Sequence, residues 1–286
     1  MTTFAIRYLM HYRYESPVVD NLNALRVTPA TVGHQVCEDV QVLVTPEARL
    51  HRHNDYYGTQ VLEFGIERPH TELSIDVRSH VRTEPPHEPP ESSWAPTETD
   101  AYLEAGAEYL LPGEDRLAPG DLDDLIRHTR ATTPLATVRL VCELIPDRFE
   151  YRAGATYVHS TVADLLRAGA GVCQDFVNLA LLLLREQGIA ARYVSGYLWV
   201  APQDGGSDSA EVQTHAWLEA LLPEPNGSGE AAWVGADPTN RGLAGPDHVK
   251  IGHGRRYSDV PPIKGVYRGV AGAESEAKVE MRRLDG

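Results

Sequence analysis

Three residue types that together perform acyl transfer occur in the order cysteine, histidine, aspartate. Cys173 lies in the stretch GAGVCQDFVNLALLLLREQG, where a glycine-rich turn runs into an apolar helix. Val172, Phe176, Leu179, Ala180, Leu183 and Leu184 recur at helical spacing, so one face is buried. Cys173 therefore falls in the first helical turn. Unpaired backbone N–H groups and the positive end of the macrodipole there favour an anion such as a thiolate. His215 sits in THAWLEALL, an apolar stretch that reads as a strand, and Asp237 closes a second one, WVGADPTN, at a proline turn. An imidazole beside the sulfur supplies a counter-charge and later a proton donor. A carboxylate on the other ring nitrogen fixes tautomer and orientation. Each residue alone has a plainer reading. Cys173 could be a small core residue, His215 a polar strand residue beside Trp217, and Asp237 the opener of an Asp-Pro turn. Together the three supply a nucleophile, a base and an orienter.

The motifs GVCQDFVNLALLLLREQGIAARYVSGYL, THAWLEALLP and WVGADPTN, with DHVKIGHGRRYSDVPPIKGVYRG downstream, resemble the bacterial branch of the transglutaminase-like superfamily. The resemblance extends over nearly the whole chain, since the N-terminal part looks like that branch's β domain. It implies an α+β fold: a papain-like transglutaminase core, with the cysteine at a helix N-terminus packed on an antiparallel sheet, and an N-terminal β-sandwich-like domain. It also implies an oxyanion hole that uses the backbone N–H of Cys173, with Tyr151 or Tyr157 as candidates for a second donor. Gln174 and Trp217 are candidate substrate contacts, against plainer readings as a solvent-facing helix residue and a core or cleft wall. Asp175, in the same first turn, would oppose a thiolate and reads as structural.

The elements that must position these groups are legible to different degrees. Residues 3–15 alternate sharply, with Phe4, Ile6, Tyr8, Met10, Tyr12 and Tyr14 on one face, and Glu15-Ser16-Pro17 reads as the strand's end. Further short strands follow near residues 22–29, 36–44, 50–53, 59–66 and 73–81. These define an N-terminal β domain over 1–90. Proline-rich sequence makes 91–115 a linker, and the boundary lies within 83–99. The core spans 116–270. It starts with helices over 121–130 and 134–149, the second placing Cys142 in its apolar stripe. Thr161 to Asp164 reads as a helix cap. Residues 191–200 read as a strand buried on both faces, and 202–210 and 223–230 as polar loops. Residues 271–286 read as a last strand returning to the β domain.

Composition bounds the function. At 286 residues, 42% hydrophobic and 23% charged, the chain is long enough for one large or two modest domains. A formal net charge of −15 argues against nucleic acid and anionic membranes as partners; the resemblance implies a peptide-like or small-molecule amide or amine substrate. Three cysteines without a CxxC pair, no apolar leader and no long apolar run point to a cytoplasmic protein. No cofactor or metal is expected: there is no phosphate-binding glycine pattern and no EF-hand loop, and the pair His51 and His53 lacks a third ligand by spacing. The expected activity is cysteine-dependent acyl transfer through a Cys173 thioester, ending in transamidation or hydrolysis. Its alternatives are a non-catalytic scaffold on the same fold and a zinc metallohydrolase using Cys173, His215 and Asp237.

Overall fold

The computed structural model describes residues 1–113, 117–118, 120–157, 160–201, 209–212, 214–225, 230–270 and 272–284. The loop centres expected at 202–208 and 226–229 lie outside them. In chain order the N-terminal strands are β1 (Thr2–Leu25), β2 (Gln35–Thr45), β3 (His51–Asn54), β4 (Gln60–Ile66) and β5 (His70–Thr83). The helices α1 (Asp100–Leu110), α2 (Asp123–Thr129) and α3 (Pro134–Arg148) follow, then β6 (Glu150–Tyr151), α4 (Val162–Ala168), β7 (Ala170–Gly171) and α5 (Cys173–Glu186). The chain continues through β8 (Ala191–Leu198), β9 (Ser209–Val212), β10 (Thr214–Pro223), β11 (Ala231–Asp237), β12 (Gly242–Leu243) and β13 (His248–Gly254). It ends with β14 (Ile263–Arg268) and β15 (Ala273–Arg283). No helix among the described residues is long and apolar enough to cross a membrane.

The fold is α+β. The core is a five-stranded antiparallel sheet in the order β12-β11-β10-β8-β13, with α5 and α3 packed on one face. Phe176, Val177, Leu179, Ala180, Leu183 and Leu184 of α5 are fully buried, facing Ala216, Leu218, Ala220 and Leu222 of β10 and Val138, Val141, Cys142 and Ile145 of α3. Burial of each large side chain is worth about 1.5–3 kcal/mol, so α5 is anchored along its length. Gly188, at φ +81°, ends the helix, and Ile189 N–H returns to Leu184 O at 2.9 Å. Only a residue tolerant of left-handed φ closes this motif without strain.

The N-terminal sheet departs from the expected strand ends. The strand does not stop at Glu15-Ser16-Pro17: β1 runs on to Leu25. Its first half pairs β5 and β15, its second half β4 and β14. The pairing with β5 slips between Arg13 and Val18, and Asp20 adopts φ +47°. The proline thus marks a bend that lets one strand serve both halves of a curled sheet. Residues 91–115 are also not all linker. They contain α1, whose Tyr102 is buried and whose hydroxyl donates to Leu221 O at 2.9 Å while accepting from Ala190 N–H at 3.1 Å.

Two segments assigned to the core belong to the other sheet. β14 pairs with β1, and β9, between β8 and β10 in the chain, pairs with β15. β15 pairs with β1 from Phe4 to Tyr14. Tyr197 and Trp199 of the β8 end and Val249 and Ile251 of β13 share a core with Phe4, Leu25, Leu62 and Val81. β8, which pairs with the His215 strand β10, and β13 beside it are therefore packed against both layers.

Candidate active site

Cys173 opens α5, and the turn before it is held by its own helix. Asp175, at the third helical position, accepts Val172 N–H at 2.8 Å and Thr156 Oγ1–H at 2.5 Å through Oδ2. Burial pushes its carboxyl above the usual range, against the two hydrogen bonds. Asp175 is thus structural: its carboxylate closes the turn and ties Thr156 to it. The short parallel pair β6 and β7 brings Tyr151 opposite Gly171.

His215 enters from β10 and Asp237 from the end of β11, strands paired through Leu218 and Ala236. His215 Nε2 lies 2.8 Å from Asp237 Oδ2. Cys173 also acts on the ring, and with Nε2 taken by Asp237 it is Nδ1 that remains for the sulfur. The structure therefore sets His215 against Asp237, with Cys173 near enough to influence the same ring. Burial would lower the His215 pKa, but the bonds to Asp237 and Cys173 outweigh it and raise it to about 9. Burial likewise works against the Asp237 charge, yet His215, His248 and Asn240 hold its carboxyl far below the ordinary carboxylate range. Asp237 is 1% exposed, so these bonds act with little solvent screening.

Family profiles match both halves of the chain: the bacterial transglutaminase-like N-terminal region over residues 4–82, and the transglutaminase-like superfamily over residues 124–238. An uncharacterized protein of Mycobacterium leprae is 34% identical over 280 residues, covering 96% of each chain. The chain belongs to the transglutaminase-like superfamily. An uncharacterized Mycobacterium tuberculosis protein is 34% identical over 276 residues, covering 92% of this chain and 87% of its own. The crystal structure of a protein from Cytophaga hutchinsonii, named a candidate cysteine protease, superposes with a TM-score of 0.75 at 22% identity. It covers 100% of this chain and 91% of that one, a likeness of fold.

Other residues of this transglutaminase-like chain selected from sequence fall differently. Tyr151 is 53% exposed beside the start of α5, its ring edge-on to Phe176 at 6.0 Å. Tyr157 is 80% exposed, and its carbonyl accepts Gln174 Nε2–H at 3.0 Å. The Gln174 amide donor is therefore engaged in tying down that segment. Trp217 does not line an open cleft: it is 3% exposed, 6.2 Å from the His215 ring, in space that Gly196 leaves by having no side chain. It buttresses the histidine from behind.

Two residues were not anticipated. Asn240 donates Nδ2–H to Asp237 Oδ2 at 2.7 Å, and His248 Nε2 lies 3.0 Å from the same oxygen. The DPTN turn could have pointed to Asn240, because a side chain three residues past an Asx turn folds back on its opener. His215, Asp237 and His248 are also the one group of three metal-ligand types within reach of one another among the described residues. Their atoms meet at hydrogen-bond distance and the His248 Nδ1 accepts Gly245 N–H at 3.1 Å, so Nε2 carries the ring proton rather than a free lone pair. That chemistry fits a hydrogen-bonded relay better than an ion, and Cys173 is not part of the group. His51 and His53 sit exposed on β3 with rings 5.8 Å apart, and join no such group.

Proposed function

We propose that this protein is a cysteine-dependent acyltransferase or amidohydrolase acting on an amide or peptide bond. The reading is carried by His215, held between Cys173 at the start of α5 and a buried carboxylate at 2.8 Å. The Cys173 thiolate attacks the acyl carbon, and the carbonyl electrons move onto oxygen, opposite the backbone N–H of Cys173. The C–N bond breaks as His215 passes its Nδ1 proton to the leaving amine, which leaves a thioester and a neutral imidazole. An amine or water then attacks the thioester, gives its proton to His215, and expels the thiolate. An amine forms a new amide; water completes hydrolysis. Asp237 keeps the proton on Nε2 throughout, so Nδ1 is always the exchanging atom.

The test is incubation of the protein with glutaminyl peptides and small primary amines, followed by mass spectrometry. An amine adduct marks transfer and a gain of about one mass unit marks deamidation, as amide NH2 becomes OH. The companion measurement is iodoacetamide labelling. Burial holds the Cys37 and Cys142 thiols above their ordinary pKa, so Cys173 should label first. His215→Ala should slow that labelling by about 10²-fold. Labelling of Cys173 no faster than Cys37, and indifferent to His215→Ala, would remove the reading.

A further inference from the structure

The acceptor side of Asp237 is crowded in a way that the three-residue relay does not require. Its Oδ2 meets His215 Nε2 at 2.8 Å, His248 Nε2 at 3.0 Å and Asn240 Nδ2 at 2.7 Å. The second histidine arrives from β13, two strands from β10 in the sheet, after the chain leaves β12 and turns at Gly245. We infer that His248 is a positioning residue: as an imidazole protonated at Nε2, it shares Asp237 Oδ2 with His215 and so sets how strongly that carboxylate pulls on His215. The inference rests on the acyl-transfer reading of the site.

Three observations support it. The tautomer is fixed by the backbone, since Gly245 N–H donates to His248 Nδ1 at 3.1 Å and leaves the proton on Nε2. The ring is caged, with its side chain 11% exposed and its face set edge-on to Trp217 at 5.2 Å. Trp217 in turn lies 24° from parallel to His215, so the two histidines flank one indole. Finally, Asp237 does not need His248 to stay in place. Thr239 N–H and Asn240 N–H hold Oδ1 at 2.9 and 3.2 Å, and the Asn240 side chain holds Oδ2. The His248 N–H is therefore a regulator of charge more than a strut.

The direction of its effect follows. A neutral donor at Oδ2 takes up part of the negative charge that would otherwise favour the His215 imidazolium. Replacing it by a hydrocarbon leaves Oδ2 with two donors and strengthens the pull on His215. The other titratable groups around this line are Cys173 and Asp175 from α5, Tyr151 from β6, Tyr193 from β8 and Cys142 from α3.

The test uses the full chain labelled with ¹⁵N-histidine, with long-range ¹H–¹⁵N spectra recorded across pH. Wild type should show His248 as the Nε2–H tautomer in its neutral form. In His248→Leu the His215 midpoint should move up by about half a pH unit, and in His248→Gln, which restores an N–H and an acceptor for Gly245, it should return. A ring that only packs against Trp217 would leave the midpoint unmoved in His248→Leu. An Nδ1–H tautomer in the wild type overturns the proposal without need of any variant, should His248→Leu not fold. Alkylation of Cys173 in His215→Ala separates the two levels. If it is unchanged, the acyl-transfer reading falls. If it slows while His248→Leu leaves the midpoint in place, only the role of His248 falls.

Discussion

A carboxylate has two oxygens, and Asp237 uses them differently. Oδ1 takes the backbone N–H groups of Thr239 and Asn240, the ordinary behaviour of an aspartate opening a turn. Oδ2 faces the two imidazoles. The turn reading and the chemical reading of Asp237 thus hold at once, on different atoms. This pairing ties protonation of His215 to folding. Its pKa rises from 6.5 to about 9 in the folded chain, so the folded state holds a proton that the unfolded state has released between those values. The stabilisation is fully present below pH 6.5 and is lost as pH rises through about 9. Urea unfolding at pH 6.5 and at pH 9.5 should show wild type losing on the order of 2–3 kcal/mol more than His215→Gln over the same interval. An equal loss in the two proteins would mean that His215 is not charged in the fold. Cys173, His215 and Asp237 were singled out by residue type together with motifs in the order of the resembled family, since each alone has a plainer reading; the structure pairs His215 with Asp237. His248 was not legible, since nothing local shows that the chain after β12 crosses to bring β13 onto the far side of β8.

At the scale of elements, helices with a continuous apolar stripe were readable and elements defined by distant partners were not. The stripes of α3 and α5 and the Thr161–Asp164 cap stand where periodicity put them. α1 escaped because it buries only Tyr102 and Gly106 along its length. The continuity of β1 escaped: residues 3–15 and 22–29 read as two strands, and pairing with β4 and β14 makes the second half part of one strand. The element on which the chemistry depends most is the first turn of α5. There Val172 has no side-chain acceptor, and Asp175 alone closes the cap while also anchoring Thr156. Asp175→Ala leaves the Val172 N–H and the Thr156 hydroxyl without their partner, a cost of about 1–3 kcal/mol. The melting temperature should fall accordingly, and Asp175→Asn, which keeps one acceptor oxygen, should fall less. Activity should drop further than stability in Asp175→Ala, because the Cys173 N–H is oriented by the same turn. A melting temperature unchanged in Asp175→Ala would show that the turn is held elsewhere.

At the scale of the molecule, the two sheets are bonded to each other directly and not only through the chain between them. Gln35 of β2 bonds both main-chain groups of Lys250 in β13: Lys250 N–H donates to its side-chain oxygen at 2.7 Å, and its amide donates to Lys250 O at 2.8 Å. Tyr197 of β8 reaches Val27 O at 2.8 Å. The same Lys250 carries its ammonium inward to Glu219 of β10 at 2.6 Å, and Arg192 of β8 meets that carboxylate at 2.6 Å, stacked 3.9 Å from the Trp233 ring. One buried carboxylate thus joins three strands of the core sheet at the point where the other sheet is bonded. Burial and the neighbouring Arg192 lower the Lys250 pKa to about 8 in spite of Glu219, so the ammonium depends on that partner. Glu219→Gln removes the only negative charge shown pairing with the two cations and should cost about 3–5 kcal/mol, the usual penalty for leaving a buried charge uncompensated. Because the damage lies at the seam, the loss should appear as a lower midpoint of a single unfolding transition that far-ultraviolet circular dichroism and tryptophan fluorescence follow together. Separate transitions by the two probes, with the N-terminal sheet outlasting the Glu219 strand, would mean that the sheets fold independently and that the seam does not couple them.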